Sequence, residues 1–305
     1  MRLLVWNIQY GRGQDNRVDL VRIAREVMAQ APDVVCLQEV VVNHPQLAST
    51  MRNGVAMALD EPAWLAELFA GWHAVYAAAC DLPDEHGGRQ LFGNLTLSRY
   101  ALGAVVRHSL PFLPEPALPA MQRGALEVTV LAPGGAVRVI NTHLEFFSAT
   151  QRLAQIAALR TLHVEGAAHG GAPRVALPDP HFAVAARGSD AILCGDFNCP
   201  PGGDETRALL APFPTVDTAH DVPGAVSPSL CFEDLWLRVH GALPHAPTAG
   251  LVATADFPAP VCFDRVYASG AWARRVTEFT VDAASRASDH QSLLVDFSDT
   301  EDLDA

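Results

Sequence analysis

Apolar residues recur along this chain in short runs, and several runs end or begin in an amide, a carboxylate or a histidine. Leu3-Leu4-Val5-Trp6 leads into Asn7, Val34-Val35-Cys36-Leu37 into Gln38-Glu39, and Val137-Arg138-Val139-Ile140 into Asn141-Thr142-His143. Ala191-Ile192-Leu193-Cys194 stops at Gly195 and delivers Asp196 and Asn198, while Ser288-Asp289-His290 stands just before Leu293-Leu294-Val295. Runs of this length, bounded by turn residues, predict buried strands. On an extended backbone positions i and i+2 point the same way, so Asp196 and Asn198 are expected to face one pocket. Pro200-Pro201-Gly202-Gly203 then ends the pairing and forces a turn. Polar groups gathered at the tips of buried strands are what a site at one edge of a sheet requires.

Helical periods lie between these runs. Leu20, Ile23, Ala24, Val27 and Met28 form one buried face, opened by Asn16 and Asp19 and closed before Pro32. Strand, helix, strand in so short a stretch predicts a parallel β-α-β unit, which brings Asn7 and Glu39 to the same end of the sheet. Residues 61 to 71 carry Pro in a first turn and Gly past the end, the signature of a short helix. Strand-like runs follow at 72–79, 91–98, 101–109, 124–131 and 136–141, with Pro and Gly punctuation that suits antiparallel pairing. Ser148 and Gln151 form a capping-box start for a helix to about His163, and a short helix is expected near Glu205 to Leu210. Final strands are expected at 263–267, 276–281 and 293–297. The segments 43–60, 80–92, 111–122, 165–189 and 220–261 show no firm period. Within them, 87–90 and 111–119 read as exposed connections, the second with a flap as its functional alternative. Residues 166–188 read as a lid or a flexible insertion, and their Ala, Gly and Pro content favours flexibility. The expectation is one domain over 1–297 and an acidic, solvated tail over 298–305.

Composition narrows the partners. At 305 residues, half of them hydrophobic, the chain is long enough for a well-buried core, yet no apolar run is long enough to span a bilayer. The first residues contain no long apolar signal region and run straight into a strand, which predicts a cytoplasmic protein. Of the six cysteines, Cys36, Cys80, Cys194 and Cys262 lie in or beside apolar runs, and neither zinc spacing nor a disulfide framework is present. All basic side chains of the Lys/Arg class are Arg, and the formal charge of −13 opposes attraction to a long nucleic acid.

Taken in order, Trp6-Asn7-Ile8-Gln9, Leu37-Gln38-Glu39-Val40, Gly93-Asn94-Leu95-Thr96-Leu97-Ser98-Arg99, Ile140-Asn141-Thr142-His143-Leu144, Gly195-Asp196-Phe197-Asn198, Asp264-Arg265-Val266-Tyr267 and Ser288-Asp289-His290 resemble the endonuclease/exonuclease/phosphatase superfamily. The resemblance runs from residue 1 to about residue 297, and its specificity lies in the ordered set, each motif being weak alone. It implies an α/β (α+β) fold, a four-layer sandwich of two mixed β-sheets packed face to face and flanked by helices, with a metal-dependent phosphoesterase site at one edge.

The residue chemistry agrees with that implication. Glu39 and Asp289, with Asn7 beside them, offer hard oxygen ligands suited to Mg²⁺ or Mn²⁺. Related chains often carry an acidic residue two positions after the first Asn, where this one has Gln9, so the number of metals is left open. Asp196 suits the role of orienting and deprotonating the attacking water, and Asn198 that of holding a phosphate oxygen or the same water. His143 and His290 suit hydrogen-bond donation to phosphoryl oxygens. By resemblance, Asp264 would bond to His290 and keep it oriented and cationic. Asn94 and Arg123 are candidate substrate contacts, Arg because its fork suits phosphate. His181, His220, His245 and Cys199 receive no role.

The expected function is hydrolysis of a small phosphate ester, a diester above all, by in-line attack of an activated water. A DNA or RNA nuclease, a sphingolipid or phospholipid head-group phosphodiesterase and a non-catalytic binding module on the same fold are the alternatives. Substrate and oligomeric state are not written in the motifs.

Overall fold

A computed structural model of the chain describes residues 1–47, 50–52, 55–57, 60–84, 87–171, 185–213, 230–254 and 256–300. Strand β1 (Arg2–Asn7) and strand β2 (Val34–Val42) flank helix α1 (Leu20–Ala29) and pair in parallel, Leu3 opposite Val34 and Asn7 opposite Gln38. Asp19 caps α1 by accepting from the Arg22 N–H at 2.9 Å. Parallel pairing follows from the crossover helix, and it sets Asn7 and Glu39 at one end of the sheet, as the unit requires.

The next elements are β3 (Thr50–Arg52), β4 (Val55–Met57), α2 (Glu61–Leu68), β5 (His73–Pro83), β6 (Arg89–Ser98), β7 (Leu102–Ser109), β8 (Gly124–Ala132) and β9 (Gly135–His143). After them come α3 (Ala149–Gly171), β10 (Ala191–Asp196), α4 (Asp204–Leu210), β11 (Phe232–Asp234), α5 (Leu235–His240), β12 (Asp264–Ser269), α6 (Gly270–Arg274), β13 (Val276–Val281) and β14 (Leu293–Phe297). One six-stranded sheet has the order β13-β14-β1-β2-β6-β5, the other β11-β12-β10-β9-β8-β7, and each mixes parallel with antiparallel pairs.

Alternation explains why the strands read as unbroken apolar runs. Leu3, Val5 and Cys36 of the first sheet meet Leu126, Val139, Ile192 and Cys194 of the second in a shared core. Leu4, Trp6 and Leu37 face outward, beneath Leu20, Ile23 and Val27 of α1 and Leu65 of α2. Ile140 and Leu193 face outward on the other side, beneath Ile156 and Leu159 of α3 and Leu209 of α4. Both faces of each central strand are covered, so both residue parities are apolar. Each such fully buried Leu, Ile or Val contributes about 1.5–3 kcal/mol relative to exposure. The result is the four-layer sandwich of helices, sheet, sheet and helices.

At the end where the polar tips gather, three neutral side chains tie the sheets together. Gln38 Nε2 donates to Asn141 Oδ1 at 2.7 Å, and Asn141 Nδ2 donates to the Leu37 and Leu95 carbonyls at 3.2 and 3.0 Å. Asn94 Nδ2 donates across the gap to the Asn141 and Gly124 carbonyls at 3.2 and 3.4 Å. Buried amides pair in this way because an unpaired one is costly away from water.

Several boundaries differ from the sequence expectation. Helix α3 runs on to Gly171 instead of ending near His163, against the low helix propensity of Gly166, Gly170 and Gly171, and Gly166 gives Arg138 room: a Cβ there would lie 2.2 Å from Arg138 Nη1. Gly195 does not stop β10. It continues the strand at φ +133°, where a Cβ would lie 1.9 Å from the Thr142 carbonyl oxygen, so glycine serves close approach of β9 and not a break. Arg89 and Gln90 open β6 in place of forming a connection, and the 43–60 stretch contains the β3–β4 pair. Most of the expected lid, His181, His220 and the last residues of the tail lie outside the described residues.

Candidate active site

The tips of β1, β2, β9, β10 and β12 and the segment before β14 meet around a cavity of about 300 Å³. Its floor includes Gln9, Glu39, Arg123, His143, Asp196, Asn198, Asp289 and His290. Asn7 is the link between two of its carboxylates, its Nδ2 donating to Glu39 Oε1 at 3.1 Å and to Asp196 Oδ2 at 3.0 Å. The Asn7 Oδ1 accepts from the Gln9 backbone N–H at 3.1 Å, and Gln9 Nε2 donates to Asp289 Oδ2 at 2.9 Å. Ser288 Oγ donates to the Asn7 carbonyl at 2.7 Å and Trp6 Nε1 to the His290 carbonyl at 3.0 Å, which fastens the Asp289-His290 segment to β1.

Asn198 reaches the cavity by a turn and not by extended backbone. It lies beyond the end of β10 at φ +51°, with its N–H donating to Asp196 Oδ1 at 2.8 Å. Its Nδ2 donates to the Leu144 carbonyl at 2.9 Å and lies 2.9 Å from His143 Nε2. That ring nitrogen is therefore an acceptor and the His143 proton sits on Nδ1. Across the cavity, His290 Nδ1 donates to Asp264 Oδ2 at 2.7 Å, and His290 Nε2 lies 3.8 Å from Asp196 Oδ2. The Asp264 N–H donates to Thr248 Oγ1 at 3.0 Å.

These contacts sort the charges. Burial works against a charged His290, but Asp264, then Asp196 and Asp289, outweigh it and hold the ring well above its ordinary value, as an imidazolium. Burial, then the Arg123 charge, pushes His143 down to about 3, so it is neutral. Burial would raise Asp196, yet the His290 imidazolium and the donors Asn7 and Asn198 hold it below its ordinary value. Glu39 goes the other way, pushed up to about 7 by burial and then by Asp289, and burial likewise raises Asp289.

Comparison with known proteins bears on this site. The model of the Endonuclease/Exonuclease/phosphatase family matches residues 4–290. The chain belongs to this family. Among solved structures, an endonuclease/exonuclease/phosphatase from Beutenbergia cavernae is 27% identical, over 97% of this chain and 70% of that one, with a TM-score of 0.62. TDP2 from Caenorhabditis elegans is 19% identical, over 97% of this chain and 74% of that one, with a TM-score of 0.58. The 3′ phosphatase NExo from Neisseria, bound to a product DNA hairpin, is 20% identical, over 98% of this chain and 99% of that one, with a TM-score of 0.57. The latter two establish the fold alone. Comparison with curated proteins found no match.

Members of the endonuclease/exonuclease/phosphatase family are hydrolytic phosphoesterases and nucleases, and they generally use divalent metals. Two groups of side chains here have the donors for such an ion. Asp196, Asp264 and His290 hold ligand atoms within 4.8 Å of one another. Their geometry is already spent, since Nδ1 of His290 is bonded to Asp264 and an imidazolium cannot ligate a metal. Glu39 and Asp289 instead hold hard oxygens whose ionisation is resisted by burial and, at Glu39, by the Asp289 charge, the imbalance that a dication reverses. The Glu39 corner therefore fits a hard divalent cation better than the triad does. Asn7 Oδ1, which accepts one hydrogen bond from the Gln9 N–H, keeps a second lone pair with which it could join that corner.

The remaining positions divide clearly. Arg123 lines the cavity, 3.6 Å from Glu145 Oε2, and its buried Nε and Nη1 have no hydrogen-bond partner among the described residues. Asn94 is not among the residues that line the cavity, and its Nδ2 donates to the inter-sheet bridge. Sequence reasoning missed the cavity's other wall: Phe92, Met121, Phe146, Phe147 and Phe257, with Asp256 beside them. Phe146-Phe147, three and four residues after the strand-tip His143, was a visible signal; Phe257, edge-on to His290 with ring centroids 5.4 Å apart, sat in a stretch without a period. Among the described residues no helix is long and apolar enough to cross a membrane.

Proposed function

We propose that this chain is a divalent-metal-dependent phosphodiesterase acting on a small diester by in-line attack of water. The observation that carries the reading is the geometry of one cavity, where Asp196 Oδ2 lies 3.8 Å from Nε2 of a His290 ring whose Nδ1 is bonded to Asp264 at 2.7 Å, contacts that favour an ionised Asp196 and a cationic His290. Asp196 takes the proton of the attacking water, and Asn198 helps hold that water or a phosphate oxygen. His290 donates from Nε2 to the phosphoryl oxygen on which charge builds, while Asp264 keeps its ring oriented and charged. Arg123 adds unspent donors for the same oxygens. In the present arrangement His143 offers Nδ1–H and not Nε2–H, so its part is to seat Asn198. Glu39 and Asp289, with Asn7, would hold Mg²⁺ or Mn²⁺, which when bound acidifies water and offsets charge on the phosphoryl and leaving oxygens.

Charge and size support a small diester. The cavity lining carries four carboxylates, Glu39, Asp196, Asp256 and Asp289, against Arg123 and the His290 imidazolium. Even with one dication bound, no surplus of positive charge favours a dianionic monoester over a monoanionic diester. Among the described residues Arg123 is the only arginine in the lining, which gives a polymer backbone one cationic contact and not a track. The phenylalanine wall, with Phe147 53% exposed at its rim, suits an ester group with an apolar or aromatic body. The test is hydrolysis of a bis-aryl phosphodiester beside the matching monoester, in EDTA and then with Mg²⁺ or Mn²⁺. Metal-dependent turnover that favours the diester is expected. Monoester preference, or tight salt-sensitive binding to duplex DNA with cleavage, would replace the proposed substrate class. Silence on both esters in a protein that binds the metal would favour the binding module.

A further inference from the structure

Glu39 is held in an unusual backbone. Its φ is +57°, in the left-handed region that a side chain other than Gly or Asn rarely occupies, and it sits where β2 slips register against β6. Leu37 pairs with Leu95 and Val40 with Gly93, so Gln38 and Glu39 together oppose Asn94. Such an extra residue re-aims one side chain, but a bulge needs its freed backbone groups answered from elsewhere.

Two side chains outside the strand answer them. Beyond Gln38, the edge of β2 no longer has β1 beside it, because β1 ends at Asn7. The start of α2 runs along that edge: Val42 bridges to Asp60, and Glu61 Oε2 accepts from the Val41 N–H at 2.9 Å. From β5, Tyr76 Oη donates to the Val40 carbonyl at 3.0 Å. Glu61 is fully buried although it is an acidic residue in the first turn of a helix, and none of its atoms reaches the cavity lining. Gly93 closes the bulge from the far side, where a Cβ would lie 2.0 Å from the Ala77 carbonyl oxygen. The two residues after Glu39 are thus clamped through their backbones by groups that the proposed chemistry does not use.

We propose that Glu61 and Tyr76 are positioning residues that hold the β2 bulge and so fix the direction in which Glu39 presents its carboxylate to a divalent cation. The inference rests on the reading of Glu39 as a metal ligand, and it goes beyond it by assigning a function to residues on α2 and β5. Neither touches substrate or the reacting atoms. Their contribution is to metal affinity, since a carboxylate that must search for its direction pays an ordering cost on binding.

The experiment compares Glu61→Leu, Glu61→Gln and Tyr76→Phe with the wild type. The readouts are the Mg²⁺ and Mn²⁺ concentrations that half-saturate the metal-induced rise in Tm, Tm in EDTA, and kcat at saturating metal. Outer residues that orient metal ligands typically govern affinity by about 10–100-fold, and a shift of about 10-fold is expected in Glu61→Leu and a smaller one in Tyr76→Phe. Glu61→Gln keeps an oxygen for the Val41 N–H and should restore the wild-type midpoint, while kcat at saturating metal stays close to wild type in all three. A fall in Tm in EDTA with an unmoved metal midpoint overturns the proposal, leaving a purely structural role. If Glu61→Leu does not fold, Tyr76→Phe decides alone, an unmoved midpoint overturning and a raised one supporting. A wild type with no metal response overturns the metal reading itself, an outcome distinct from a responsive wild type whose variants match it.

Discussion

Two clusters of buried charge lie in this fold, and they are built on opposite terms. The one under α3 gathers Glu127, Arg138, Arg187, His108 and His163. Glu127 accepts from Arg187 at 2.9 and 3.1 Å and from His108 at 3.2 Å, with Arg138 Nη1 at 3.7 Å. Arg138 spends its other nitrogens on the Gly188, Ser189 and His163 carbonyls and on His163 Nδ1 at 2.7 Å. Burial would raise Glu127, but His108, Arg138 and Arg187 outweigh it and keep the carboxyl below its ordinary value. At the cavity, by contrast, Glu39 and Asp289 are both raised, with burial as the first cause and the His290 imidazolium offsetting it only in part. A charge answered inside the protein serves the fold; a charge left unanswered beside a cavity asks for a ligand.

The comparison breaks first at activity. Asp196→Asn and His290→Ala should each lower kcat by about 10²–10⁴-fold, the range for lost acid-base groups, with Tm near wild type. Turnover within tenfold of wild type in either variant, measured on a bis-aryl phosphodiester, removes that residue from its role. Next in size, Glu127→Leu leaves two arginines without their carboxylate and should cost about 3–5 kcal/mol in urea unfolding, while kcat of the folded fraction holds. A loss of kcat like that of the cavity variants would show that the two clusters work as one.

The closed cluster also predicts a pH dependence. Burial, then the Arg138 charge, pushes His163 down to about 4, and its Nδ1 accepts from Arg138. A folded value below the unfolded one gives stability that is fully present above about pH 6.5 and is lost as pH falls through about 4. The loss is roughly 3 kcal/mol, and His163→Gln should flatten that slope in unfolding measured from pH 7 to 4. The smallest effect has the opposite sign. In EDTA, Glu39→Gln should be more stable than wild type by about 1–2 kcal/mol, with a correspondingly higher Tm, and lose the rise that Mg²⁺ or Mn²⁺ produces. A lower Tm in EDTA would mean that Glu39 is as well compensated as Glu127.

Much of this arrangement is legible in the residues because local pattern dictates it. Apolar runs covered on both faces, the periodic face of α1 and the polar tips depend on neighbours in sequence. Features that depend on the partner strand do not show. Gln38 and Asn141 look like their neighbours Glu39 and His143, yet they bond to each other between the sheets and do not line the cavity. The bulge re-aims Glu39, and nothing in Leu37-Gln38-Glu39-Val40 announces a positive φ. Gly195 reads as a stop because its function, closeness to Thr142, exists only once β9 is paired. Phe257 enters the cavity from a stretch whose path is set by long-range contacts, Ala249 bridging both Val261 and His290.

The amide bridge of Gln38, Asn94 and Asn141 bears on how such a protein changes. Glu39 and His290 hang from one sheet, His143, Asp196 and Asp264 from the other, so the cleft is the open end of a vice. The three amides set the jaw spacing with uncharged material that neither metal nor substrate can titrate or compete for. Loops on either jaw are then free to be exchanged, lengthened or lined with different side chains while the reach between the jaws stays fixed. Clamp and tooling are separate parts, and only the tooling has to be recut for a new substrate.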